Sequence, residues 1–344
     1  MLGDELLSIG KIAGPIMMAS MLIQSRTIIS MLFLSHLSQE VLAGGSLAMG
    51  FGNITGVSII KGVKGIALAL ACTTFNLNLG LIVYMVVSET PLKPWHGVTV
   101  VSIFQGWQPL LTLAVPSLFS VCLEWWWYEI MLFLCGLLDS PKASVAAMGI
   151  LIQTAGLLYN FPYSLSSGIS TRVSQALGAG QPSCAHRAAN IGLVMAFAFG
   201  VLAFVVTTAL RSWWGKLFSD EPQILDLIST VLPLLGLCEV GNSPQTAACG
   251  VLTGTARPKD GVRINLCSFY IVGLPVAILT TFTFKFGFKG LWFGLLAAQI
   301  SCVCMMVYTL VQTDWKHQAK RADELTTAAA GKDDLETSLL TSDL

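Results

Sequence analysis

Residues 191–210 read IGLVMAFAFGVLAFVVTTAL, twenty residues without a charge or a proline. A stretch of that length crosses a bilayer as one helix. Lipid offers no partner to backbone N–H and C=O groups, so each must bond inside its own segment. A second run, 287–311, holds a single charge, Lys289. The rest of the chain is built alike: of 344 residues, 54% are hydrophobic and 11% charged. A soluble domain carries roughly 25% charged residues, and the mean hydropathy here is +0.72. The fold class this implies is an all-α, polytopic membrane protein that lies in a lipid bilayer. The formal net charge of zero argues against nucleic acid as a partner. No cleavable signal peptide is expected, because Asp4 and Glu5 stand where a positive segment would be needed.

Apolar runs divided by Gly, Pro and charge clusters predict helices at 8–35, 42–60, 65–88, 109–137, 143–167, 188–210, 222–252, 262–284 and 288–312. The segment 42–60, with five glycines, is the weakest of them. The nine cysteines fall almost all inside apolar runs without CxxC spacing. They read as small core residues, with neither a disulfide framework nor a metal site implied.

Internal matches expose a repeat. Met31-Leu32-Phe33-Leu34 recurs at Met131-Leu132-Phe133-Leu134, and Pro15 corresponds to Pro116. Val41-x-Ala43-x-Gly45 recurs at Val145-x-Ala147-x-Gly149. Further on, Lys64-Gly65 matches Lys289-Gly290 and Val83-Tyr84 matches Val307-Tyr308, so the offset has jumped from 100 to 225. Two parallel-repeat helical lobes follow, a common transporter plan. The second has six helices, whereas the first has lost roughly 120 residues near position 60 and keeps about three. The expected division is a truncated first lobe at 1–88, a linker at 89–108, a complete second lobe at 109–312 and a polar cytosolic tail at 313–344.

Glu124 is the sharpest single residue, placed halfway along 109–137. An ionisable group at that depth costs about 2.5–3.5 kcal/mol on insertion scales and so faces the bundle interior. With Ser117, Ser120 and Tyr128 it forms one polar stripe at helical spacing. Glu239, Asn242, Ser243 and Thr246 form a second, between Pro233 and Pro244. That stripe reads either as a cation-coordinating kink or as polar groups that satisfy one another. Gln153 and Asn160 share a helix face and either line a cavity or bond between helices. Gln24 corresponds to Glu124 in the first lobe and cannot titrate. The four histidines lie far apart, in loops or at helix ends, so neither an enzyme nor a bound cofactor is expected.

Several motifs together resemble the multidrug and toxic compound extrusion (MATE) family, and within it the plant detoxification-efflux branch. They are CLEWW at 122–126, GILIQT at 149–154, STRV at 170–173, LGA at 177–179, PQT at 244–246 and GVLTGTARP at 250–258. The resemblance covers residues from about 5 to 325 apart from the missing stretch. It implies an antiporter in which inward proton or sodium flow drives export of small organic compounds. It also implies a multi-pass protein of the plasma membrane or of an endomembrane such as vacuole, Golgi or endosome. Glu124 matches the family's second-lobe cation site. The usual acidic partner falls at Thr246, where Glu239 could substitute, with Tyr128 beside them. Because the first lobe is short, the alternative is a transport-incompetent isoform that acts by association with a full-length transporter.

Charge bias orients the second lobe. With both its ends in the cytosol, Lys93, Arg172, Arg187, Arg257, Lys259, Arg263, Lys316, Lys320 and Arg321 fall inside, and only Lys142, Arg211, Lys216, Lys285 and Lys289 outside. The repeat then requires 65–88 to run from outside to inside. Cysteines introduced at positions 61 and 64, with the native cysteines replaced, should react with an impermeant reagent from outside. Labelling from the cytosol alone, with a cytosolic C-terminus, would refute this orientation.

Overall fold

A computed structural model describes residues 2–35 and 107–324, and all regular structure within them is helical. Helix α1 is Leu2–Ser35, α2 Trp107–Cys135, α3 Pro141–Gly178, α4 Pro182–Leu210 and α5 Pro222–Gly254. Helix α6 opens at Pro258–Asn265 and continues through π turns at Leu266–Gly273 and Leu279–Thr283, with Leu274–Ile278 between them. Helix α7 is Phe288–Val311, and α8 covers 315–324. Among the described residues, six helices are long and apolar enough to cross a membrane, α2 to α7. This is an integral, multi-pass membrane protein. The expected segments 42–60 and 65–88, the linker up to residue 106, and the chain beyond 324 lie outside the described residues, while the last two linker residues open α2.

The helices are longer than their apolar runs. Helices α3 to α6 each begin on a proline, and none has a side-chain cap. Proline suits that first position because it has no N–H to leave unpaired. Helix α3 runs eleven residues past the expected end at 167, so 170–178 continues the same helix. The apolar pattern marks only the part of a helix that lipid touches. Helix α3 ends where Gly180 turns to φ +67°, a left-handed conformation that glycine adopts at little cost.

Helix α5 is the centre of the lobe, packed against α3, α4 and α7. Around it lie two apolar clusters, one near each end. The first joins Trp127, Met148, Ile150, Leu235 and Trp292, and the second joins Ile169, Val173, Ala189, Val251 and Met306. Close approach depends on absent side chains. A Cβ on Gly200 of α4 would stand 2.6 Å from the carbonyl oxygen of Glu239 and 2.8 Å from Cα of Val240.

Helix α1 docks on α3. Ile9 is fully buried in the second cluster, and a Cβ on Gly168 would lie 3.2 Å from the Ile9 carbonyl oxygen. Ahead of the apolar run, Arg172 donates two hydrogen bonds of 2.9 Å, from Nε and Nη2, to the carboxylate of Glu5. This hydrogen bonding, aided by the guanidinium charge, outweighs burial and holds the Glu5 carboxyl below its ordinary value. A depressed carboxyl pKa contributes stability above the ordinary carboxylate range and loses it as pH falls through the depressed value. The tie between α1 and α3 is therefore in place at neutral pH. Helix α8 docks as well: Trp315 lies 5.3 Å from the His186 ring, and Arg257 donates to Thr313 Oγ1 at 3.1 Å. The first residues of the expected polar tail thus belong to the folded lobe.

Gly200→Ala should destabilise the protein by about 1–3 kcal/mol, since the new methyl meets backbone that cannot move aside. Gly178→Ala, where a Cβ meets nothing within 4 Å, should be near neutral. Melting of both variants in detergent, followed by fluorescence, checks the contrast.

Candidate functional site

Between the two apolar clusters lies a buried polar belt at the middle of the bundle. On α5 the first cluster ends at Cys238 and the second resumes at Ala247. Glu239, Asn242, Ser243, Gln245 and Thr246 fill the interval, all buried. Helix α3 contributes Asn160 and Ser164 at the same level, α7 Gln299, α6 Asn265 and Ser268, and α2 Ser120 and Glu124. Burying so many polar groups is unfavourable unless they bond to one another or to something that enters.

Part of the belt is satisfied internally. Glu239 is 2% exposed, and the Asn242 amide donates to both its oxygens, at 3.1 and 3.2 Å. Gln299 reaches across from α7 to the Asn242 side-chain oxygen at 3.4 Å. Thr246 donates to the Asn242 carbonyl at 2.9 Å. Asn265 donates to the backbone oxygen and hydroxyl of Ser120 at 3.0 and 3.2 Å, which ties α6 to α2. Another part is left open. Both amide atoms of Gln245 and the hydroxyl of Ser243 are buried without a hydrogen-bond partner among the described residues. Gln245 stands beside Glu124 without closing a hydrogen bond.

Glu124 sits on a cavity of about 420 Å³ enclosed by α2, α3, α5 and α6. Its wall carries Tyr159 and Tyr163 from α3, Thr246 and Cys249 from α5, and eight Ser or Thr residues in all. It extends from the belt toward Ser170 and Thr171, at the end of the bundle where Arg172 holds α1. Among the described residues no Lys, Arg or His lines it, and Glu124 is the one charged residue on its wall. Trp125 braces this wall edge-on against Tyr159, with ring centroids 5.5 Å apart.

Of the residues expected from sequence, Glu124 and Thr246 line this cavity together. Glu239, Asn242, Ser243 and Asn160 lie in the belt but not on the cavity wall, and Gln153 is half-buried away from it. The reason is local: Asn242 is held by Glu239 and Gln299, and the Asn160 amide turns back to the Leu157 carbonyl at 3.3 Å. Tyr128 is buried where it feels the charges of both Glu124 and Glu239. Gln24 lies outside the residues whose side chains are described. Sequence reading missed Tyr159, Tyr163 and Asn265. The first two, with Ser166 and Ser170, recur at i, i+4, i+7 and i+11 along α3, and that spacing was the available signal.

The MatE family model matches residues 116–279, which carry most of the belt and the cavity. Protein DETOXIFICATION 53 of Arabidopsis thaliana is 49% identical over 451 residues, covering 96% of this chain and 93% of its own. The chain belongs to the MATE family. Multidrug and toxin extrusion protein 2 of Homo sapiens is 33% identical, across 82% of this chain and 47% of that protein. The crystal structure of eukaryotic MATE transporter AtDTX14 superposes with a TM-score of 0.71 at 24% identity, covering 93% of this chain and 81% of that one. That likeness shows a shared MATE fold. Since 96% of 344 residues is about 330, an alignment of 451 residues leaves about 120 positions of the Arabidopsis protein without a counterpart here. The repeat offset implies a shortening of the same size.

Proposed function

We propose that this MATE protein exports small organic compounds in exchange for protons, with Glu124 as the group that carries the coupling. The observation behind this reading is a buried carboxylate, 6% exposed, on a cavity wall that holds no basic residue among the described residues. A carboxylate in that setting must be neutralised by a proton or by a cationic ligand, because a bare charge inside a bundle is costly. The two compete for one group, and competition for a single site exposed alternately to each side of a membrane is exchange. The names of the relatives, detoxification and multidrug and toxin extrusion, support the same direction of transport.

Glu239 is the second carboxylate in this reading, standing in for an acid at Thr246. It and Glu124 lie within range of each other's charge, and Tyr128 is close enough to feel both.

Glu124→Gln keeps the shape and the hydrogen-bonding capacity but removes titration. In proteoliposomes, efflux driven by a pH gradient should disappear in this variant while expression persists, and normal gradient-driven efflux would sink the assignment. A sodium gradient that drives the unmodified chain where a pH gradient does not would change the coupling ion. An unmodified chain that carries nothing by itself, yet alters transport by a co-reconstituted full-length relative, would favour an isoform acting by association.

The second carboxylate has its own test. Glu239→Gln should uncouple efflux from the gradient, whereas Thr246→Val should leave coupling nearly intact. The reverse pattern would return the role to Thr246.

A further inference from the structure

One end of the cavity is held from outside the spans. Along α5 its wall is fixed to α3, because two glycines lie on the α3 backbone. A Cβ on Gly254 would stand 2.7 Å from the Ser170 carbonyl oxygen, and one on Gly250 would meet that of Ser166. The next part of the wall is the start of α6, with Pro258 and Gly261. Between the two runs the turn 255–257, in which Ala256 takes φ +54°. A residue with a Cβ is strained there, and such a conformation persists only where its surroundings hold it. Thr253, two residues ahead of the turn, is an exposed member of the wall, so the cavity meets its surroundings at this end.

The hold on the turn comes from the residues after α7. Arg257 donates to Asp260 at 2.9 Å and to Thr313 Oγ1 at 3.1 Å. Thr313 gives its own proton to the Thr309 carbonyl at 2.8 Å, so its oxygen is set to accept. From α8, Arg321 reaches the Ala256 carbonyl at 3.5 Å. Helix α8 is well anchored in its turn. Asp314 accepts from the backbone N–H groups of Lys316 and His317, at 2.9 and 3.2 Å, and so caps its start. Trp315, Ala319 and Ala322 form one face at i, i+4 and i+7 and pack on the second apolar cluster. With Trp315 against His186 near the start of α4, α8 lies across the end of the bundle from α4 to the α5–α6 turn.

We infer that α8 is a strap that positions the α5–α6 turn and thereby sets how far the cavity opens, with Arg257 as the positioning residue. The two sides of the turn differ in how firmly they are fixed. Helices α3 and α5 lie backbone on backbone, whereas α6 joins α5 here through a strained turn. The regular part of α6 also stops at Asn265, where a π turn interrupts the ladder and supplies a pivot. Asn265 is tied to Ser120 of α2, so α2 and the start of α6 move as one wall. With the strap undone, the turn relaxes, that wall swings away from α5 and the cavity widens.

Two native cysteines report on this. Cys249 is half-buried on the cavity wall, and Cys302 is fully buried on α7. Labelling of both by N-ethylmaleimide in nanodiscs, followed by peptide mass spectrometry, compares the cavity with the core in one molecule. The pair Thr313→Val, Trp315→Ala should speed labelling at Cys249 by at least about fivefold and leave Cys302 unchanged, as a local opening does. The pair Thr313→Ser, Trp315→Phe keeps the acceptor and the ring and should label as the unmodified chain does. Arg257→Gln, which leaves α8 docked, should speed Cys249 through the turn alone, and it decides the matter if the first pair fails to fold. An unchanged or slower rate at Cys249 would overturn the inference. So would a parallel rise at Cys302, because α8 would then support the whole lobe and not the cavity's end. The measurement uses neither substrate nor gradient, so its outcome is separate from the role of Glu124.

Discussion

A polar layer set between two apolar clusters is the constraint on which the rest of this molecule depends. Its members must bond to each other or to what enters through the cavity that reaches it. Between α5 and α7 the first solution holds: Glu239, Asn242 and Gln299 close a network. Where α2 stands away from α5, a cavity remains and Glu124 faces it. Helix spacing thus decides which carboxylate faces a cavity and which is held by neighbouring side chains. Spacing in turn is set by small residues such as Gly200, whose missing side chain lets α4 lie on the backbone of α5 at Glu239.

Much of this was legible in sequence, and the reasons are physical. A charge-free run such as 191–210 has a single stable form in lipid, so α4 could be read without any tertiary knowledge. Glu124 was legible for the same reason, as a costly group retained at mid-span. Helix ends were less legible. The first turns of α4 and α6, and the last turns of α3, are polar because water and headgroups bond them, and hydropathy cannot tell such a helical turn from a loop. The cavity wall was the least legible part. Whether Asn160 or Tyr159 faces the space depends on how α3 rotates against α2 and α5, and that rotation comes from cross-helix contacts such as Trp125 on Tyr159. The Glu239 stripe was open to two readings: Asn242 donates to Glu239, and the part of that carboxylate in coupling is a proposal.

The ties at one end of the bundle belong to the same account. Glu5 with Arg172, and Trp315 with His186, fasten the start of α1 and the helix after α7 to the same end of the bundle. Both are contacts that water would weaken if they stood alone. They hold because each is anchored to apolar packing next to it, at Ile9 in one case and among the partly buried residues around Trp315 in the other.

Four of the helices begin on a proline and borrow no side chain to do so. In such a chain every helix carries its own beginning, written in its own residues. The protein resembles a text with punctuation inside each word, from which whole words can be struck without garbling those that remain. Relative to its Arabidopsis relative this chain lacks about 120 aligned positions in a chain of 344. Yet the six helices from Leu111 to Val311 are each complete. Self-contained starts make a bundle tolerant of editing at the level of whole segments, and much less tolerant of a change within one.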